Sequence, residues 1–146
     1  MKIVSLLALL VAVGTNFGCA TSPQITSVPL NATLYNSGEA AQATVAPMGN
    51  ETDLRVHASG VPSGNAVPAR LYAYVYSGSC SSLGAKPVYQ LNQSVSTEFF
   101  SPELQGVNLK KSVPVPYEKL RSAGYVLVVR EAPADGGQDI FCGKLG

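Results

Sequence analysis

From Leu30 to Cys142 this chain is a succession of short β-prone runs cut apart by turn residues. That rhythm constrains the fold more than any other feature. Strands are expected near Leu30–Tyr35, Ala40–Ala46, Asp53–Ala58, Ala69–Tyr76, Val95–Phe100, Val107–Val113, Tyr125–Arg130 and Gln138–Cys142. The breaks Asn36-Ser37-Gly38, Met48-Gly49-Asn50, Pro62-Ser63-Gly64-Asn65 and Asp135-Gly136-Gly137 carry residues that tolerate turn conformations. About eight short strands with a turn every ten residues or so predict an all-β domain, a Greek-key β-sandwich or flattened barrel. One helical turn is expected from Pro116 to Gly124. Proline and Glu118 stand at its start, and Lys119 and Arg121 near its end, as the helix dipole favours. No internal repeat, heptad pattern or second domain is visible.

The N terminus reads as a targeting segment. Lys2 precedes an apolar run, Ile3 to Val13, that is too short to span a bilayer core of ~30 Å. Two processing sites compete. Gly18-Cys19 has the ending of a bacterial lipoprotein signal, although Asn16 and Phe17 fit that signal poorly. Cleavage after Ala20 is the alternative. Lipidation of Cys19 is preferred, because the cysteine has no other evident purpose. The expected division is a signal peptide over 1–19, a tether over 20–29 and one β domain over 30–146; Thr21 to Pro29, small, polar and proline-punctuated, reads as a tether or as the approach to a first strand.

Cysteine arithmetic survives either processing route. Lipidation occupies Cys19 and the other cleavage discards it, so Cys80 and Cys142 remain as a pair in an oxidising compartment and are expected to bridge. The chain holds ten Lys and Arg against nine Asp and Glu, and loss of Lys2 with the signal balances them. That excludes a basic stripe for nucleic acid or a polybasic patch for anionic lipid. Contact with a membrane is expected only through the lipid anchor. Asn31-Ala32-Thr33, Asn50-Glu51-Thr52 and Asn92-Gln93-Ser94 fit the glycosylation acceptor pattern, and beside a bacterial-looking signal they are read as chance.

Three blocks then carry a resemblance. Tyr74-Val75-Tyr76-Ser77-Gly78-Ser79-Cys80 has the spacing His-x-His-x-Gly-x-Cys. Val128-Val129-Arg130-Glu131-Ala132-Pro133-Ala134-Asp135 has the spacing Val-Val-His-Glu-x-Pro-x-Asp. A final-strand cysteine is followed by glycine in Cys142-Gly143. With these blocks the chain, from about Leu54 onward, resembles the Cu/Zn superoxide dismutase fold family and its small exported bacterial relatives. The resemblance implies the same Cys80–Cys142 pairing. It also implies that Tyr74, Tyr76 and Arg130 stand where the enzymes keep copper-binding histidines, and that Asp139 stands where they keep an arginine. His57 is the one histidine of the chain. A redox copper site needs several imidazoles, phenols keep their proton at neutral pH without help, and a guanidinium repels an adjacent cation. No metal, cofactor or catalytic residue is therefore expected.

Other chemistry finds no support. Ser–His–Asp hydrolysis would have to use His57, and no Gly-x-Ser-x-Gly elbow is present. His57 is expected on the exposed face of its strand with Arg55, opposite Leu54, Val56 and Ala58. Asp135 and Asp139, flanking Gly136-Gly137, read as solvated turn carboxylates, and Lys110-Lys111 as a charge pair that blunts a sheet edge. Tyr72, Tyr74 and Tyr76 share one strand face, with Leu71, Ala73 and Val75 on the core side. By the resemblance the tyrosines face outward near Arg130, where ring and guanidinium stack. Tyr72, Tyr74, Tyr76 and Arg130 are accordingly either a small outer core or a surface for an envelope protein or a small ligand. The expected function is a non-enzymatic binding or structural module of the bacterial cell envelope, in the periplasm or anchored as a lipoprotein. A divergent superoxide dismutase or copper-handling protein is the alternative. A chaperone-like or inhibitor module acting through sheet edges is a third reading.

Overall fold

The computed structural model describes residue 22 and residues 24–65, 69–91 and 106–146. The signal segment with Cys19 and the strand expected at Val95–Phe100 lie outside the described residues. Among the described residues, nine strands and one α-helix follow in chain order: β1 Thr26–Ala32, β2 Ala41–Met48, β3 Glu51–Ala58, β4 Leu71–Ser79, β5 Ser82–Leu83, β6 Tyr89–Gln90, β7 Val107–Val113, α1 Tyr117–Ser122, β8 Tyr125–Glu131 and β9 Asp139–Lys144. All pairings are antiparallel, in the order β5-β4-β8-β9-β1-β2-β3-β7, with β6 also on β4. One apolar cluster joins Leu71, Ala73 and Val75 of β4 to Val56 of β3 and Leu109 of β7, strands far apart in that order. The sheet therefore curls around its core as a half-barrel, which sheet twist makes possible.

Period-2 alternation builds this core. In β3, Thr52, Leu54, Val56 and Ala58 point inward while Glu51, Arg55 and His57 are exposed. β8 departs from alternation, with Val126 to Val129 all buried. Leu127 and Val129 join the main core, and Val126 and Val128 join a second, outer cluster with Tyr76 and Cys142. A strand apolar on both faces is covered on both faces. In α1, Tyr117 and Leu120 enter the core, and Arg121 donates a hydrogen bond to the Leu145 carbonyl.

Three expectations need correction. The first strand begins at Thr26, so Thr26–Pro29, expected as tether or approach to a first strand, is sheet ladder paired to β2, and Leu34 and Tyr35, expected in the strand, belong with Asn36 to a 3-10 turn. The ladder wins because Val28 and Leu30 both face the core. The two-residue strands β5 and β6 were not expected; they line the edge of β4 opposite β8. Lys110-Lys111 does lie on β7, at the edge of the described sheet, but the two charges do not stand side by side. Successive strand residues face opposite ways, so Lys110 is exposed while Lys111, opposite Leu54, is 7% exposed.

Candidate functional site

Registers assemble the site on the outer face of β4, β8 and β9. Tyr72, Tyr74 and Tyr76 stand directly opposite Arg130, Val128 and Val126. Val128 is in turn opposite Cys142, and Arg130 opposite Asp139. The expected orientation of the tyrosine row holds, since Leu71, Ala73 and Val75 are in the core on the other face.

The bridge between Cys80 and Cys142 forms, with Cα atoms 5.8 Å apart. Two glycines of the motif blocks make it geometrically possible. Gly78 has φ +105°, and a Cβ there would meet the Ser82 carbonyl oxygen at 2.4 Å, so the tight β4–β5 connection that presents Cys80 requires glycine. Gly143, next to Cys142, is crowded by β1. A Cβ there would stand 2.4 Å from the Pro29 carbonyl oxygen.

Within the site the polar groups close on one another. The Arg130 guanidinium carbon lies 4.8 Å from the Tyr74 ring centroid. Its Nε donates to Asp139 Oδ1 at 2.6 Å, and its Nη2 to the Tyr76 hydroxyl at 3.5 Å. The Asp139 hydrogen bond, against the opposing cost of burial, pushes the Arg130 pKa above its ordinary value, so the side chain is a permanent cation. The Tyr74 and Tyr76 rings are tilted at 50° with centroids 6.3 Å apart. Tyr76 is only 7% exposed, packed with Val126, Val128 and Cys142, whereas Tyr72 and Tyr74 are half-buried.

The resemblance placed Asp139 at a site position, but its pairing with Arg130 was not foreseen. Asp139 is not a solvated turn carboxylate. The register steps from Val129↔Phe141 to Arg130↔Asp139, which leaves Ile140 as the extra residue of a β-bulge. Ile140 and Phe141 then both reach the core, and Asp139 lands on the outer face beside Arg130. Thr33, just after β1, holds this stretch through its hydroxyl to the Asp139 carbonyl at 2.6 Å and its N–H to the Ile140 carbonyl at 3.0 Å. The sequence signal was opposite charges nine residues apart across a Gly-Gly turn; the bulge that aligns them left no mark. Asp139→Asn should cost about 0.5–1 kcal/mol, read from the urea midpoint, because both side chains are about a third exposed and solvent screens the pair.

His57 is exposed as expected and lies on β3, outside this cluster, with its Nδ1 bonded to Asn108 Oδ1 at 2.8 Å. Among the described residues, no three His, Cys, Asp or Glu side chains converge as a metal site would require. No helix among them is long and apolar enough to cross a membrane.

No family model, curated protein or solved structure matches this chain.

Proposed function

We propose that the chain is a non-catalytic, exported module of the bacterial cell envelope, binding or structural in role, carried on a Cu/Zn superoxide dismutase-like Greek-key β-sandwich without the metal ligands. Export is read from the N-terminal segment, with Cys19 as the lipid anchor. The observation that carries the reading is the closure of Arg130 on Tyr74, Tyr76 and Asp139. Those first three residues stand where the resemblance puts copper ligands. A guanidinium offers no lone pair and opposes a nearby metal ion by its charge. The Cys80–Cys142 bridge and the β4-β8-β9-β1 strand neighbours also support the reading, since the motif blocks meet there.

Metal content separates this from a divergent dismutase or copper-handling protein. Protein purified without chelators is expected to carry copper and zinc well below one ion per chain and to leave superoxide decaying at its spontaneous rate. Stoichiometric copper would overturn the proposal.

A further inference from the structure

β4 leaves the main sheet before it ends. Its last pair with β8 is Ser77 opposite Tyr125, and from Gly78 the strand pairs with β5, Gly78 opposite Leu83 and Ser79 opposite Ser82. β8 stands between β4 and β9, which sets those two strands about 9.5 Å apart within the sheet. The Cα atoms of Cys80 and Cys142 are only 5.8 Å apart. The tip of the β4–β5 hairpin is therefore folded back over the outer face of β8, where Val126 and Val128 lie, and Leu83 packs on the cluster they form with Tyr76 and Cys142. Residues 78–84 are a flap across that cluster. Little besides the bridge holds it down. Ser79, Cys80, Ser81 and Ser82 are exposed, and Leu83 supplies its apolar contact. The Gly84 N–H donates to the Ser77 carbonyl at 2.9 Å and the Gly78 N–H to the Gly124 carbonyl at 3.3 Å, which fixes the two ends of the flap and not its tip. A segment with so few buried contacts opens at low cost once its covalent link is gone.

We propose that the flap is a redox-released cover for Tyr76 and its outer cluster, shut while Cys80 and Cys142 are bridged and open when a dithiol reductant cuts the bridge. One thiolate of the dithiol attacks Cys80 Sγ, because Cys80 is exposed and Cys142 is buried. The Cys80–Cys142 bond breaks, Cys142 leaves as a thiolate and takes a proton, and the reductant is held on Cys80 as a mixed disulfide. Its second thiolate attacks its own first sulfur, Cys80 leaves and takes a proton, and the dithiol ends as a disulfide. The bridge gains two electrons and two protons. Opening uncovers Tyr76, Val126 and Val128 beside Tyr74, so the tyrosine face is complete only in the reduced protein. The inference adds a regulation to the binding reading of that face and rests on it.

Solvent relaxation by a neutral gadolinium chelate, read on side-chain NMR signals of the intact protein before and after addition of dithiothreitol, tests it. In the oxidised protein the Tyr74 ring is expected to broaden, with the Tyr76 ring and the Val126 and Val128 methyls shielded. After reduction these shielded signals should broaden several-fold more, to the level of Tyr74, while the ring of Tyr117, 4% exposed in the main core, stays shielded. Cys80→Ser should give the open pattern without reductant. Unchanged shielding of Tyr76 in the reduced protein or in Cys80→Ser would overturn the proposal. Equal broadening of Tyr117 would overturn it too, because the bridge would then hold the whole fold and not a flap. A flap that stays shut leaves the metal-free reading of β4 and β8 standing, and stoichiometric copper in the oxidised protein would overturn that reading and leave the flap untouched.

Discussion

Removal of the Cys80–Cys142 bridge should lower the stability of the domain by about 4 kcal/mol. The two cysteines are 62 residues apart in sequence. Cross-linking them withdraws that loop-closure entropy from the unfolded chain, about 4 kcal/mol in the chain-entropy account. For a domain of this size the loss corresponds to a fall of roughly 15 °C in thermal midpoint. The native state is affected too, because Cys142 is 7% exposed and packs in the outer cluster with Tyr76, Val126 and Val128. Two perturbations separate these contributions. Reduction and alkylation of the exposed Cys80, with Cys142 kept as a thiol, removes the link and retains the buried sulfur. Cys142→Ala removes link and sulfur together and should cost about 1 kcal/mol more, as a small cavity does. Equilibrium denaturation in urea measures both. A reduced protein within 1 kcal/mol of the oxidised one would show that the loop is already restrained without the bridge.

The sheet was legible in the sequence wherever one face is buried and the other wet. β7 was placed at its observed ends, Val107 and Val113, and β2, β3, β8 and β9 within a few residues, because alternation and turn chemistry act locally. The start of β1 was not, since Thr26–Pro29 is short of apolar residues and its strand depends on pairing with β2 and on the core burial of Val28 and the following Leu30. The same limit governs the site. That Tyr72, Tyr74 and Tyr76 share a face follows from the strand period alone. That Tyr76 is covered and Tyr72 is not depends on Cys80 being drawn back over β9, and on the flanking Val126 and Val128. The Arg130–Asp139 pair depends on one extra residue in β9, which no periodicity announces.

Tyr76→Ala should destabilise the domain by about 3 kcal/mol, and Tyr74→Ala by only about 1 kcal/mol. The difference follows from what each ring touches. Tyr76 is 7% exposed and is, among the described residues, the one aromatic ring buried in the outer cluster, so its truncation opens a cavity against Val126, Val128 and Cys142. Truncating a buried aromatic costs 3–5 kcal/mol in a main core, and the lower end applies to this small peripheral one. Tyr74 is half-buried and forfeits mainly its packing against Tyr76 and its contact with Arg130, a cation–π interaction worth about 0.5–1 kcal/mol where water has access. Tyr76→Phe keeps the ring and gives up only a long hydroxyl contact with Arg130, at 3.5 Å, so it should fall within about 0.5 kcal/mol of the parent. Urea midpoints at constant slope read all three. This ordering is what an outer core demands, and a recognition surface demands the reverse, with tyrosines that can be removed at little cost to folding. If Tyr76→Ala and Tyr74→Ala cost the same small amount, the row is not packing, and Tyr72, Tyr74 and Tyr76 return to being the face offered to a partner.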